Sequence, residues 1–300
     1  MPITLDALRL FAAKSWHRIN YPRYRKKQKL LINDAIRYIS SIPGEKNDSI
    51  SLNTLAGRRF IKEPEWKEIH QVMAGESPLE HRKYWEYTQA VYGLSKLGML
   101  GENRDLLGVA SGHEAPLYYL SNHCRSVTAT DIYDGFFAVE KDGEANPEVL
   151  AEPDKYAPFA YRKDKLKFMR MNALELKFPD NSFDAVFSLS SVEHFGGEEQ
   201  YGRAMKEMAR VIKPGGIVAI TTEFSLNGSD YRGYFNGELL EKYLIKPSGL
   251  KLVEPVNFYV EPDLYEFVRI MPIEIKKRPH FLLQIGNVLF TSVSLFLRKE

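Results

Sequence analysis

The chain has 300 residues, of which 44% are hydrophobic and 27% are charged, and its formal net charge at pH 7 is +2. These values are ordinary for a folded globular protein and exclude a low-complexity or fibrous chain. The small net charge gives no argument for binding nucleic acid, so we expect no nucleic-acid partner. Cys124 is the single cysteine, which excludes an intramolecular disulfide bond and a metal cluster built on cysteines.

The N-terminal residues lack the long apolar core of a secretory signal, so we expect a cytoplasmic location.

The N-terminal part contains a basic segment, in which no acid occurs between Ala7 and Asn33. Its cationic residues are Arg9, Lys14, Arg18, Arg23, Arg25, Lys26, Lys27 and Lys29. A solvated helical face explains this pattern. Peripheral contact with an anionic surface, such as a membrane or a charged glycan, is the alternative.

Residues 1–100 are predicted to form a helical N-terminal extension. Apolar residues recur at helical spacing over residues 30–39 and again over residues 79–97. The remainder, residues 101–300, has a different pattern and is predicted to form a separate domain.

From residue 101 onward, short apolar runs alternate with helical stretches. The clearest helix is predicted from Glu198 to Ile212. The runs predict strands at 106–110, 126–131, 166–172, 183–190 and 217–223. This alternation predicts an α/β fold with a doubly wound, mainly parallel sheet and helices on both faces. Two later candidates, 251–260 and 288–298, predict an antiparallel closing pair of strands.

A turn rich in small residues follows the first predicted strand. Gly108, Ala110 and Gly112 let a ligand approach the backbone, and Asp131 ends the next strand 19 residues after Gly112. An acid at that point can accept hydrogen bonds from the hydroxyl groups of a ribose. Since ligands of open α/β sheets bind beyond the carboxyl ends of the strands, the sequence predicts a nucleoside site here.

Glu114 distinguishes between two nucleoside ligands. It stands where a dinucleotide-binding turn has its third glycine, and a carboxylate beside a pyrophosphate costs energy because like charges repel. S-adenosylmethionine has no phosphate and carries an ammonium and a sulfonium group. The sequence therefore favours this methyl donor over NAD. An NAD-dependent oxidoreductase and a non-catalytic nucleoside-binding module are the alternatives.

The ordered series of motifs resembles the class I methyltransferases, in particular the small-molecule group called methyltransferase type 11. The resemblance covers roughly residues 104–225 and rests on the segments LLGVASGHE, TATDIY, MNALELKFPDNSFDAVFSLSSVEHF and EMARVIKPGGIVAITTE. It implies a seven-stranded sheet, S-adenosylmethionine as the cofactor of residues 101–300, and methyl transfer as the activity.

The resemblance also implies the residues that hold the donor. Asp131 would hold the ribose, with Ile132 against the adenine. Asn172 and Ala173 would meet the adenine edge, and Ser190 would lie near the donor. The complete set is Gly108, Ala110, Gly112, Glu114, Asp131, Ile132, Asn172, Ala173 and Ser190.

His194 is the predicted catalytic residue. It follows the fourth predicted strand at the ligand edge of the sheet. Histidine titrates near neutrality and can therefore act as a general base. A histidine that only shapes the pocket through hydrogen bonds is the alternative. The histidines have no metal-binding spacing, and no metal site is predicted.

Two segments are candidates for the acceptor site. One is the long stretch 132–165, and the other is 224–237, which contains Tyr231, Tyr234 and Phe235. Aromatic rings with polar neighbours suit a sugar or another polar ring, and packing under a loop explains them equally well. The sequence predicts transfer of a methyl group to a small polar acceptor, such as a sugar or glycan hydroxyl, a reaction that depends mainly on positioning.

Overall fold

The computed structural model describes residues 5–46, 50–134, 145–231, 233–274 and 276–300, with side chains from residue 20 onward. The helices are α1 (Leu5–Ile39), α2 (Pro64–Ala74), α3 (Arg82–Lys96), α4 (Ala115–Ser121), α5 (Glu198–Val211), α6 (Gly237–Leu240) and α7 (Lys246–Ser248), and a π-helical turn, Glu241–Ile245, joins the last two. Single 3-10 turns occur at Arg59–Lys62, Pro147–Leu150, Pro153–Tyr156, Lys163–Lys165, Val192–His194 and Pro262–Phe267.

The described strands form a single mixed sheet. They are β1 (Thr54–Leu55), β2 (Gly101–Val109), β3 (Cys124–Asp131), β4 (Leu166–Arg170), β5 (Phe183–Leu189), β6 (Ile212–Ser225), β7 (Lys251–Leu252), β8 (Arg269–Ile270), β9 (Leu283–Ile285) and β10 (Val288–Arg298). Their order is β4-β3-β2-β5-β6-β10-β9-β8, and β1 and β7 also pair with β10. Strands β2 to β6 are mutually parallel, whereas β10 runs antiparallel to β6. The predicted mainly parallel sheet is confirmed.

The number of strands differs from the predicted seven. The described residues contain ten, because β1, β7 and β9 add short antiparallel pairs along β10, and β8 then pairs with β9. The closing pair expected from 251–260 is limited to Lys251 and Leu252, which face the end of β10. The chain then leaves the sheet, and the main antiparallel partner of β10 is β6.

The sheet is doubly wound because its crossovers run in opposite directions. Helix α4 connects β2 to β3 on one side of the strand order, and α5 connects β5 to β6 on the other. Parallel crossovers are right-handed in nearly all proteins, so the two helices lie on opposite faces. The strand order therefore reverses between β2 and β5, which is where open α/β sheets bind their ligands.

Residues before position 100 contribute to the same hydrophobic core as the sheet. Helix α3 packs on β5, β6 and β10, and a Cβ at Gly93 would lie only 2.1 Å from the Phe296 ring, so α3 approaches β10 closely. The buried Asn53 side chain accepts a hydrogen bond from the Phe296 N–H at 2.6 Å. A domain boundary at residue 100 stays a prediction.

Helix α1 packs against β8 and β10. Arg25 forms an ion pair with the buried Glu274 at 3.0 Å, and Tyr21 donates a hydrogen bond to the same carboxylate. At the other end, the Tyr38 hydroxyl accepts a hydrogen bond from the Gly237 N–H at 2.9 Å. In the part of the chain that is described, none of the helices combines the length and the apolar character needed to cross a membrane.

Candidate active site

A cavity of about 510 Å³ opens where the strand order reverses. It lies at the carboxyl ends of β2, β3 and β5 and beside the residues that follow β4. Its wall is formed by Lys83, Ala110, Ser111, Gly112, Glu114, Asp131, Ile132, Ala145, Met171, Asn172, Ala173, Leu174, Leu189, Ser190, Ser191, His194 and Phe195. The volume lies in the range of small-molecule and cofactor sites.

Asp131 ties the turn after β2 to the end of β3. Its Oδ2 accepts a hydrogen bond from the Gly112 N–H at 3.0 Å, and its Oδ1 lies 3.4 Å from the N–H of Tyr133. Burial raises the pKa of Asp131, and the backbone N–H groups of Tyr133 and Gly112 oppose that shift. Donation from further hydroxyl groups would favour the charged carboxylate, so the arrangement suits a ligand that brings hydroxyl donors.

Two residues that flank the reversal point adopt left-handed backbone conformations. Ala110, after β2, has φ of 49°, and Ser190, after β5, has φ of 50°. Such conformations cost free energy for residues other than glycine and concentrate at functional sites. The Ser191 hydroxyl donates to the carbonyl of Ala110 at 2.8 Å, which joins the two turns along the cavity wall.

The wall beyond β3 and β4 is partly apolar. Ile132 is 42% exposed although it is a large aliphatic residue, and it faces the cavity together with Met171 and Ala173. Asn172 accepts a hydrogen bond from the Leu174 N–H at 2.9 Å through its Oδ1, which fixes the turn after β4. This arrangement offers a planar ring an apolar surface with a polar edge.

Lys83 is a site residue that the sequence did not reveal. It extends from the first turn of α3, and its Nζ lies 3.2 Å from Oε1 of Glu114. No motif marks this lysine, because its position depends on how α3 docks against the sheet. The pair places opposite charges side by side in the wall and partly neutralises Glu114, which weakens the repulsion argument against a pyrophosphate ligand.

Gly108 differs from the other predicted donor residues because it does not line the cavity. A Cβ at this position would lie 2.5 Å from the Ser111 Oγ and 3.0 Å from Cδ2 of Leu117. Gly108 therefore lies beneath the turn and lets it fold back over the end of β2. The remaining eight predicted donor residues all belong to the wall.

His194 ends the 3-10 turn Val192–His194 and lies at the cavity mouth, where it is exposed and also lines the cavity. Partial burial lowers the pKa of His194, and the nearby cations Lys83 and Arg82 lower it further. The imidazole is therefore neutral at pH 7 and able to accept a hydrogen bond or a proton.

The first acceptor segment, 132–165, is only partly described, since Phe136 and Phe137 fall outside the described residues. The Tyr133 ring is buried, and its hydroxyl donates to the Gly112 carbonyl at 2.7 Å. Tyr156 packs against the His113 ring at 4.6 Å. These described aromatic residues of the first segment pack within the protein.

In the second acceptor segment, 224–237, Phe235 packs on Tyr201 and Tyr234 packs on Phe290. Tyr231 is the most exposed aromatic of this segment, at 64%. Phe224 is also buried and stacks on Phe258, so packing accounts for three of the four aromatic residues of the segment.

An acid cluster, which we define as Arg82, Glu86, Glu193 and Glu223, lies beside the cavity. The Arg82 guanidinium is 2.7 Å from Glu86 and 3.2 Å from Glu223. The Ser190 hydroxyl, at the cavity wall, donates to Oε2 of Glu86 at 2.6 Å. The cluster therefore has three carboxyl groups and one guanidinium, with a direct hydrogen bond to the wall.

Glu193 is the carboxyl group of the acid cluster whose burial is least compensated by hydrogen bonds. Only 6% of the residue is exposed, and its Oε2 accepts a hydrogen bond from the Thr222 hydroxyl at 2.8 Å. Its Oε1 is buried without a hydrogen-bond partner among the described residues. Burial, together with the neighbouring charges of Glu223 and Glu86, raises the pKa of Glu193 to about 8. Burial and Glu86 also raise the pKa of Glu223, against the effect of Arg82.

Comparison with known proteins agrees with this geometry. Residues 107–220 match the family model described as "Methyltransferase domain". The sterol 24-C-methyltransferase of Aspergillus fumigatus is 38% identical over 75 residues, which are 25% of this chain and 19% of that protein. The mouse protein named "Probable tRNA methyltransferase 9B" is 49% identical over 47 residues, which are 16% of this chain and 10% of that protein.

Among solved structures, geranyl diphosphate C-methyltransferase from Streptomyces coelicolor is similar, with a TM-score of 0.48 and 12% identity, over 79% of this chain and 98% of that one. The matches to the two curated relatives named above span less than a fifth of their lengths. Residues 107–220 therefore carry a methyltransferase domain, and the predicted resemblance to the class I S-adenosylmethionine-dependent methyltransferases is confirmed.

We predict that the acid cluster makes the stability of the protein depend on pH. The folded-state pKa of Glu193, about 8, lies above the value of about 4.3 for an unfolded glutamate. The folded state therefore holds an extra proton between these values, and the stability that this proton provides is lost as the pH rises through 8. The free energy of unfolding should fall by up to about 1.4 kcal/mol per pH unit relative to Glu193→Gln.

Urea unfolding of both proteins at several pH values from about 5 to about 9 measures this difference, covering the window set by the two pKa values. Other titrating groups are common to both proteins, so the comparison isolates Glu193. Parallel stability curves for the two proteins would contradict the raised pKa.

Proposed function

We propose that the protein transfers a methyl group from S-adenosylmethionine to a small polar acceptor at this cavity. The observation that carries the proposal is the composition of the wall, in which eight of the nine donor residues predicted from the sequence come together at the reversal point of the sheet. The match of residues 107–220 to a methyltransferase domain supports it independently.

The residues present fit the donor by their chemistry. The partly uncommitted Asp131 carboxylate would take ribose hydroxyl groups, and Ile132 would lie against the adenine. The ion pair of Glu114 and Lys83 would complement the ammonium and carboxylate groups of the methionine part. When bound, S-adenosylmethionine supplies an activated methyl group on a positively charged sulfur.

The acceptor would bind at the side of the cavity formed by the residues after β5. Three of the four wall residues there, Ser190, Ser191 and His194, are polar, and Phe195 is apolar. Neutral His194 would hydrogen-bond the acceptor, either as its general base or as a pocket residue. A polar wall supports a polar acceptor, with a sugar or glycan hydroxyl as the narrower candidate, over an apolar molecule such as a sterol.

We predict that the chain binds S-adenosylhomocysteine with micromolar affinity and binds NAD barely at all. Asp131→Ala should weaken binding of S-adenosylhomocysteine by about 1–3 kcal/mol, because hydrogen bonds to a charged group are lost. Asp131→Asn should lose less, since the amide oxygen can still accept from Gly112. Isothermal titration calorimetry measures these affinities.

Asp164→Ala is the matched control, because Asp164 is an exposed aspartate that does not line the cavity. It should leave the affinity unchanged. Tight binding of NAD with indifference to S-adenosylhomocysteine would contradict the proposed donor. A panel of sugars, glycans, amines and sterols tested with labelled donor would then identify the acceptor.

We also propose that helix α1 contacts an anionic surface. Over residues 23–29 of this helix, four exposed side chains are cations, and an exposed leucine follows them. These residues are Arg23, Arg25, Lys26, Lys29 and Leu30. A basic helical face with an apolar side chain is typical of helices that lie on acidic membranes. Arg25 is partly committed to Glu274, so the remaining cations carry the argument.

Vesicles that contain phosphatidylserine should retain the protein at low salt and release it at about 1 M salt, where the Debye length is about 3 Å. Replacing Arg23, Lys26 and Lys29 by glutamate should abolish retention. The matched control replaces the exposed lysines of another surface, Lys206, Lys242 and Lys246. If both triple variants were retained equally, or if the wild type were not retained at all, the proposed contact would be contradicted. The basic residues of α1 would then be a solvated helical face.

A further inference from the structure

We propose that Glu193 takes the proton that the acceptor loses on methyl transfer, a role that rests on the methyltransferase function proposed above. Transfer from a sulfonium brings one positive charge to the acceptor atom, and that charge is relieved when the acceptor's proton leaves. A buried carboxylate beside the cavity, which forms no ion pair with any of the described residues, can receive such a proton.

The position of Glu193 supports this role. It lies in the turn that directly follows β5, and its neighbours along the chain, Ser191, His194 and Phe195, all line the cavity. Thr222 at the end of β6 holds Oε2 of the carboxylate at 2.8 Å. The other oxygen, Oε1, is buried and has no hydrogen-bond partner within the part of the chain that the structure describes.

The charges around Glu193 come from every element packed against it. Helix α3 contributes Arg82 and Glu86, strand β6 contributes Glu223, and the loop after β6 contributes Tyr234. From α5, the Tyr201 hydroxyl donates to the backbone carbonyl of Glu193 at 3.3 Å.

Arg82 is engaged by Glu86 and Glu223. Lys83 lies 3.2 Å from Glu114 at the cavity wall and 3.8 Å from Glu86. The three carboxyl groups of the acid cluster therefore face two cations, which leaves one negative charge in excess when all three are ionised. Such an excess stabilises positive charge that develops on the acceptor, because fixed charges act strongly in a site from which water is excluded.

The step balances in atoms and charge. The acceptor atom forms a bond to the methyl carbon, the donor sulfur keeps the electron pair of the bond that breaks, and the acceptor proton moves to Oε1 of Glu193. The products are the methylated acceptor, neutral sulfur and a protonated glutamate, which then releases its proton to solvent.

The two candidate bases differ in the pH at which they become active. The pKa of Glu193 is raised to about 8, so a rate that needs its carboxylate rises with pH and levels off above that value. The pKa of His194 is lowered from its usual 6.5, so a rate that needs neutral His194 has its inflection below pH 6.5. A single pH profile therefore distinguishes them.

The test compares Glu193→Gln, Glu193→Asp and His194→Gln, once an acceptor is found in the panel. We expect Glu193→Gln to lower kcat by roughly 10²–10⁴-fold and to remove the inflection near pH 8, while the affinity for S-adenosylhomocysteine stays unchanged. Glu193→Asp should keep part of the rate, because it keeps a carboxylate. His194→Gln should keep the inflection near pH 8.

A second readout does not depend on turnover. In the protein without acceptor, the infrared band of a protonated carboxyl group should disappear with a midpoint near pH 8 and should be absent in Glu193→Gln. Normal kcat and an unchanged pH profile in Glu193→Gln would overturn the proposal, and loss of the inflection in His194→Gln would assign the base to His194. Failure of the wild type to bind S-adenosylhomocysteine would instead overturn the proposed function and, with it, this inference.

Discussion

The arrangement of the active site depends on one buried carboxylate, that of Glu86 in α3. It accepts hydrogen bonds from Arg82 of the same helix, from Ser190 after β5, and from Ser292 of β10. Burying a charge costs several kcal/mol unless hydrogen bonds or opposite charges compensate it. The buried carboxylate therefore holds its three donors, Arg82, Ser190 and Ser292, in one geometry. Because Ser190 lines the cavity and α3 carries Lys83 into its wall, the docking of an N-terminal helix shapes a site built mainly by later strands.

Much of the site could be predicted from the sequence because its parts lie at the ends of consecutive strands. Parallel strands bring their carboxyl ends to one edge, so the turn after β2, Asp131 after β3 and Ser190 after β5 converge once the strands are recognised. Lys83 and Arg82 could not be found in this way, since their contacts depend on tertiary docking. Gly108 was expected to line the donor site, whereas it lies beneath the turn after β2, and its lack of a side chain lets that turn fold back.

The fold, like the site, has elements that the local sequence predicts and elements that depend on contacts between distant parts of the chain. The five parallel strands have the apolar runs that predicted them, and parallel strands are joined by right-handed crossovers such as those through α4 and α5. The short strands β1, β7, β8 and β9 have only two or three residues each, too few to give a periodic signal. Strands β1, β7 and β9 satisfy backbone groups of the long strand β10, and β8 pairs with β9. These pairings join residues far apart in the chain. The role of Glu193 could not be predicted for a similar reason, because its environment is built by α3, β6 and the loop after β6.

The central claim is that the cavity at the reversal point of the sheet is the donor site. A crystal structure of the protein with S-adenosylhomocysteine tests it most directly. We predict that the ribose hydroxyl groups bind Asp131, that the adenine lies against Ile132, and that the sulfur points toward the side of the cavity formed by Ser190 and His194. A ligand bound elsewhere, or a nucleoside that leaves Asp131 without a contact, would contradict the account.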